Sequence, residues 1–122
     1  MKGTNLGEFQ EIVLLTVGML YDDAYGVSIK DEIEKQSGRK VTLSTVHAAL
    51  NRLEDKGFLS SRLDSATDER GGRPKRLFRV TAYGKRALEE SREMRNRMWG
   101  LIPKVAWLSG SQRLRAPGEP SG

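Results

Sequence analysis

A mainly α fold with one small β-hairpin is predicted here, and three observations predict it. Apolar residues recur at helical spacing through three successive segments of the first half. A short stretch then switches to strand-like runs, split by a loop containing Gly71, Gly72 and Pro74, and helical spacing returns after Thr81. The 122 residues fit one domain of ordinary size, or a smaller one with an accessory segment. At 37% hydrophobic and 30% charged, the chain has a small core, so every apolar helix face has to be used.

The elements follow in order. Leu6 to Tyr21 reads as a helix: Leu6, Phe9, Val13, Thr16/Val17 and Leu20 keep the 3, 4, 7 spacing, while Ile12, Leu15 and Met19 widen the apolar surface. A stripe that wide points to burial on two sides, the second of them against another subunit. Asp22-Asp23 makes a turn. A second helix, about Ala24 to Gln36, puts Tyr25, Ile29 and Ile33 on one face and stops at Ser37-Gly38, glycine suiting the left-handed position past a helix end. Thr42 is the expected N-cap of a third helix, Leu43 to Lys56, with Val46, Leu50 and Leu53 inward and Gly57 as its stop. Residues 58–63 and 76–80 read as two hairpin strands, with 64–75 a loop too long for a tight turn. Thr81 caps a final helix, about Ala82 to Leu101, bounded by Gly100 and Pro103.

Three helices followed by a two-stranded hairpin give a winged helix-turn-helix, here with a C-terminal dimerisation helix. The expected division is 1–81 for the winged helix-turn-helix, 82–108 for the dimerisation helix and its extension, and 109–122 as a disordered tail. That tail is rich in Gly, Ser and Pro, with almost nothing to bury.

Charge is more telling in its placement than in its total of +5. From Arg39 to Arg86 there are twelve Lys/Arg against five Asp/Glu, and the rest of the chain carries nine against eleven. A positive block in an otherwise acidic chain suits a polyanionic partner. Other classes are disfavoured. The chain lacks cysteine, which excludes disulfides, thiolate metal sites and a cysteine nucleophile. A lone histidine, His47, disfavours a histidine-rich metal site or a catalytic triad, and no phosphate-binding glycine loop is present. We expect no enzyme, no cofactor and no metal. With no signal-peptide pattern and no run of apolar residues long enough to span a membrane, the expected location is the cytoplasm, without membrane association.

Three stretches resemble the PadR-type transcriptional regulators. They are Ala24-Tyr25-Gly26, the run from Thr45 to Gly57 (TVHAALNRLEDKG), and the run from Gly71 to Gly84 (GGRPKRLFRVTAYG). The likeness extends over roughly Leu6 to Leu88. It implies a dimeric, repressor-type DNA-binding protein whose last helix pairs the subunits, and only about 40 residues after Thr81 make it a short form. His47 departs from the pattern, standing where the family usually has a tyrosine near the DNA.

The residues themselves indicate where double-stranded DNA would lie. With Val46, Leu50 and Leu53 inward, the third helix offers Ser44, Thr45, His47, Ala48, Asn51 and Arg52. Asparagine suits adenine, arginine guanine, and hydroxyls at a helix start suit phosphate, while small Ala48 and Ala49 permit close approach. In the wing, Arg70, Arg73, Lys75 and Arg76 lie around Gly72, where the backbone approaches a phosphate ridge or minor groove closely. Tyr25 and Gly26 are expected to serve packing at the helix entrance. A homodimer seam is expected from Leu6, Phe9, Val13, Leu88, Met94, Met98, Trp99 and Ile102, with Trp99 and Met98 lining a pocket for a small apolar effector near the two-fold axis. The competing reading is a winged-helix module that docks its basic wing on an acidic protein surface.

Overall fold

The computed structural model describes residues 6–64 and 74–112. The chain forms two compact units, Met1–Ser91 and Arg92–Gly122. The elements are α1 (Glu8–Leu20), a short 3₁₀ turn (Tyr21–Asp23), α2 (Gly26–Ser37), α3 (Leu43–Asp55), β1 (Leu59–Asp64), β2 (Lys75–Val80), α4 (Ala82–Gly100) and α5 (Lys104–Gln112). The first four helices and the hairpin fall close to where the periodicity places them, and the first unit is a winged helix-turn-helix.

Local chemistry explains the boundaries. Glu8 and Glu11 sit in the first turn of α1, where carboxylates favour the positive end of the helix dipole. The Tyr25 amide donates to Ser28 Oγ (2.9 Å) at the start of α2. Gly38 (φ 75°) ends that helix, its amide donating to the Glu34 carbonyl (2.9 Å). Thr42 caps α3 by accepting from the Thr45 amide (3.1 Å). Thr81 does the same for α4, accepting from the Gly84 amide (3.0 Å) while its hydroxyl donates to the Gly57 carbonyl (2.7 Å).

The core brings together Val13, Leu14 and Val17 of α1, Ile29 and Ile33 of α2, Val46, Leu50 and Leu53 of α3, and Phe58 and Phe78 at the hairpin base. β1 and β2 pair antiparallel, from Leu59 opposite Val80 to Asp64 opposite Lys75. Phe58 lies outside the strand that was expected to include it, because its amide closes the turn after α3 by donating to the Leu53 carbonyl (2.9 Å). Gly84 of α4 rests directly on the Phe58 carbonyl, an approach a Cβ would forbid.

Three sequence expectations need correction. Val13 was assigned to the dimer seam, yet it is wholly buried in the core of its own unit, so its side chain has no surface to give a partner. Ala49 was expected, with Ala48, to permit close approach to DNA, but it lies in that same core. The apolar residues after Pro103 do not trail from the final helix. They form α5, which reaches Gln112 and so enters the stretch expected to lack structure. Proline stops a helix arriving from its N-terminal side but suits the start of the next, and the Pro103 carbonyl accepts the Ala106 amide (2.9 Å) there. Residues 113–122 lie outside the described residues. Among the described residues, no helix is long and apolar enough to cross a membrane.

Candidate nucleic-acid interface

The two faces of α3 divide cleanly. Val46, Leu50 and Leu53 are fully buried, which turns Ser44, Thr45, His47, Ala48, Asn51 and Arg52 outward, and all six are exposed. At the start of this face the Thr42 hydroxyl lies 2.8 Å from that of Thr45 and 3.2 Å from that of Ser44. These hydroxyls cluster at the N-terminal end of α3, an arrangement suited to an anion. Further along, Asn51 and Arg52 present an amide and a guanidinium, the donor–acceptor groups that match purine edges in a major groove.

The wing supplies cations. Lys75 and Arg76 open β2 and are both exposed. The Arg76 guanidinium donates to Ser61 Oγ (2.8 Å), and that hydroxyl donates to the Glu54 carboxylate (2.7 Å), so Arg76 is tied through β1 to the end of α3. Lys75 holds its ammonium 5.1 Å from the centroid of the Tyr25 ring. Arg70, Gly72 and Arg73, expected at the wing tip, lie outside the described residues.

An open groove of about 450 Å³ runs between these parts, lined by Asp23, Tyr25, Gly26, His47, Lys75 and Arg76 among others. It joins the exposed polar face of α3 to the far ends of the two hairpin strands. Tyr25, read from sequence as a packing residue, donates its hydroxyl to the Asp64 carboxylate (2.8 Å). That hydrogen bond and partial burial hold the Tyr25 phenol above its ordinary pKa. Asp64 was missed as a site residue, because a pair 39 positions apart leaves no local period to detect. At the opposite end of α2, Glu34 accepts the Val41 amide (3.0 Å) and neighbours Lys30 (3.4 Å), and both interactions hold its carboxyl below the usual range.

The remaining expected residues divide between the two units. Leu6, Phe9 and Leu88 are half-buried against the core of the first unit. In the second, Met94, Met98 and Trp99 are exposed and Ile102 is half-buried. The Trp99 ring meets Trp107 at 5.4 Å between centroids, a neighbour that was not among the expected pocket residues.

A three-helix core, a polar helix face turned outward and a cation-bearing hairpin beside it define a winged helix-turn-helix protein. Within that class, the family model described as the transcriptional regulator PadR-like family matches residues 13–90, and the chain belongs to that family. Similar solved structures agree. A PadR family transcriptional regulator from Eggerthella lenta is 25% identical, with a TM-score of 0.61 over 81% of this chain and 86% of that one. A PadR-like transcription factor from Bacteroides fragilis is 20% identical, with a TM-score of 0.63 over 74% and 82%. Bacillus subtilis PadR in complex with operator DNA is 20% identical, with a TM-score of 0.57 over 82% of this chain and 52% of that one. No curated protein matches the chain. The protein is a transcriptional regulator of the PadR-like family.

Proposed function

We propose that this regulator binds double-stranded DNA as a homodimer, reads an inverted repeat and acts as a repressor. The observation that carries this reading is the division of α3. One face is sealed into the core, while Ser44, Thr45, His47, Ala48, Asn51 and Arg52 are all turned outward beside the cationic far end of the hairpin. The Bacillus subtilis relative, which shares the fold, is bound to operator DNA, and this supports DNA as the ligand. In the proposed complex Asn51 and Arg52 face base edges, Ser44 and Thr45 sit on phosphate, and Arg70, Gly72, Arg73 and Lys75 follow the backbone from the wing. Arg76 braces the wing through Ser61 as well as adding charge.

Two copies are needed to read an inverted repeat, with recognition helices about 34 Å apart. The second unit offers the surface for pairing, since Met94, Met98, Trp99, Leu101, Val105 and Leu108 are all large, apolar and exposed. A small apolar effector would lie against Trp99 and Met98, with Trp107 as a third wall. No enzymatic activity and no cofactor enter this account.

Selection of bound duplexes from a random pool tests the reading. Enrichment of one inverted repeat, bound with an affinity that falls steeply with salt, supports it. A pool that stays random, with the chain retained instead on an acidic protein surface, overturns it in favour of a protein-docking module.

A further inference from the structure

The Tyr25-Gly26 pair at the entrance of α2 takes no part in reading bases on the account above, yet contacts from two directions converge on it. Just before it, the Ala24 carbonyl accepts the Phe78 amide (3.0 Å), which lays the chain entering α2 alongside β2. The Tyr25 hydroxyl then reaches Asp64 (2.8 Å), and its ring carries the Lys75 ammonium at 5.1 Å. Asp64 and Lys75 face each other as the last register pair of the hairpin. One side chain therefore holds the far ends of both strands.

Gly26 faces the other way. A Cβ on it would come within 2.9 Å of both Cε1 and Nε2 of His47, so the absence of a side chain is what lets the imidazole of α3 rest against the start of α2. Adjacent residues thus grip the wing and the recognition helix, one each.

We propose that the Tyr25-Gly26 pair sets the angle between the wing and the recognition helix, with Tyr25 as the latch on the hairpin and Gly26 as the seat of His47. An isolated two-stranded hairpin is marginally stable in water, and beyond Leu77 and Phe78 this one leaves the core. A strand of this length spans about 20 Å, so a tilt of about 10° at its base moves the far end by about 3 Å, a full hydrogen-bond length. Phosphate contacts made by the wing then lose register with base contacts made by α3. The phenol–carboxylate bond suits the task, because a hydrogen bond to a charged acceptor is roughly twice as strong as a neutral one. The consequence for DNA rests on the proposed DNA reading, but the latch itself does not.

Hydrogen exchange on the free full-length chain tests the latch. Tyr25→Phe keeps the ring and removes the hydroxyl. The expected result is exchange about tenfold faster at amides of Arg62–Asp64 and Lys75–Leu77, with core amides of Val17, Ile29 and Leu50 unchanged. Unchanged exchange at the strand ends overturns the proposal, and so does a rise spread evenly over the first unit, which marks a general structural role. The second arm measures affinity for the selected operator. Tyr25→Phe and Asp64→Ala should each weaken it about three- to tenfold, and the double variant no more than either alone. Gly26→Ala, which displaces His47, should weaken operator binding while leaving strand-end exchange as in the parent. Full operator affinity in Tyr25→Phe refutes the positioning role even where exchange has risen locally. If the parent chain binds no duplex at all, the DNA reading falls, and the exchange arm still decides the latch.

Discussion

Replacing Gly84 by alanine sets two opposed effects against each other at one atom. In a helix interior the change removes backbone freedom from the unfolded chain and favours folding by about 1 kcal/mol, less this close to the helix start. Against this, the new Cβ would collide with the Phe58 carbonyl oxygen and lie 3.0 Å from Val80 Cγ1. The oxygen has little room to retreat, because it accepts the Thr81 amide (3.1 Å), and Thr81 is itself bound to the Gly57 carbonyl (2.7 Å). Overpacking costs about 1–3 kcal/mol, and a clash with fixed backbone belongs at the upper end. The net expectation is a loss of about 2 kcal/mol, or roughly 8–16 °C in melting temperature for a unit of this size. Gly18 supplies the contrast. A Cβ there meets only Val80 Cγ2, at 3.8 Å, so Gly18→Ala should stabilise by about 0.5–1 kcal/mol. Urea melts followed by circular dichroism compare the two variants directly. A Gly84→Ala chain as stable as Gly18→Ala would refute the packing account of this helix–hairpin junction.

Three further outcomes are expected. Asn51→Ala should cost about 1–3 kcal/mol on the selected operator and little on random duplex, and equal losses on both would move Asn51 to backbone contact. The lowered pKa of Glu34 adds stability that is present above its unfolded value, 4.5, and is lost as pH falls through the folded value. Glu34→Gln should therefore flatten the acid limb of the stability–pH curve, and an unchanged limb measured by melts between about pH 5 and 3 would contradict the assignment. Met94→Glu combined with Met98→Glu should turn a sedimenting dimer into a monomer, since both exposed side chains belong to the proposed seam, whereas persistent dimer places the seam elsewhere.

What could be read in the sequence tracks how narrow each apolar stripe is. In α3 the spacing turns Val46, Leu50 and Leu53 inward and Ala49 joins them, so the opposite face still follows from the spacing and becomes the candidate interface. In α1 apolar residues extend nearly all round, and periodicity alone does not choose among them. Val13, Leu14, Thr16 and Val17 are buried while Leu15 and Met19 are exposed, and the fourth buried residue, Thr16, is a polar one whose hydroxyl donates to the Ile12 carbonyl (2.7 Å). Residues joined across the fold were hidden for a different reason. Tyr25 meets Asp64, and Glu54 reaches Arg76 through Ser61, only once the hairpin has folded back, and neither pairing follows from spacing. α5 was hidden by the double meaning of Pro103.

The placement of the aromatic residues divides the molecule spectroscopically. Both tryptophans, Trp99 and Trp107, lie in the Arg92–Gly122 unit, and all three tyrosines, Tyr21, Tyr25 and Tyr83, lie in the Met1–Ser91 unit. Indole emission excited at its red edge is therefore blind to the winged helix and reports the C-terminal unit alone. The two indoles, 5.4 Å apart and tilted by 38°, are close enough for their transitions to couple, giving that unit a circular-dichroism signal of its own. Tyrosine difference absorbance follows the other unit in the same cuvette. Coincidence of the two melting curves is then the criterion for one cooperative molecule, and their separation would mean that the two units unfold at different temperatures.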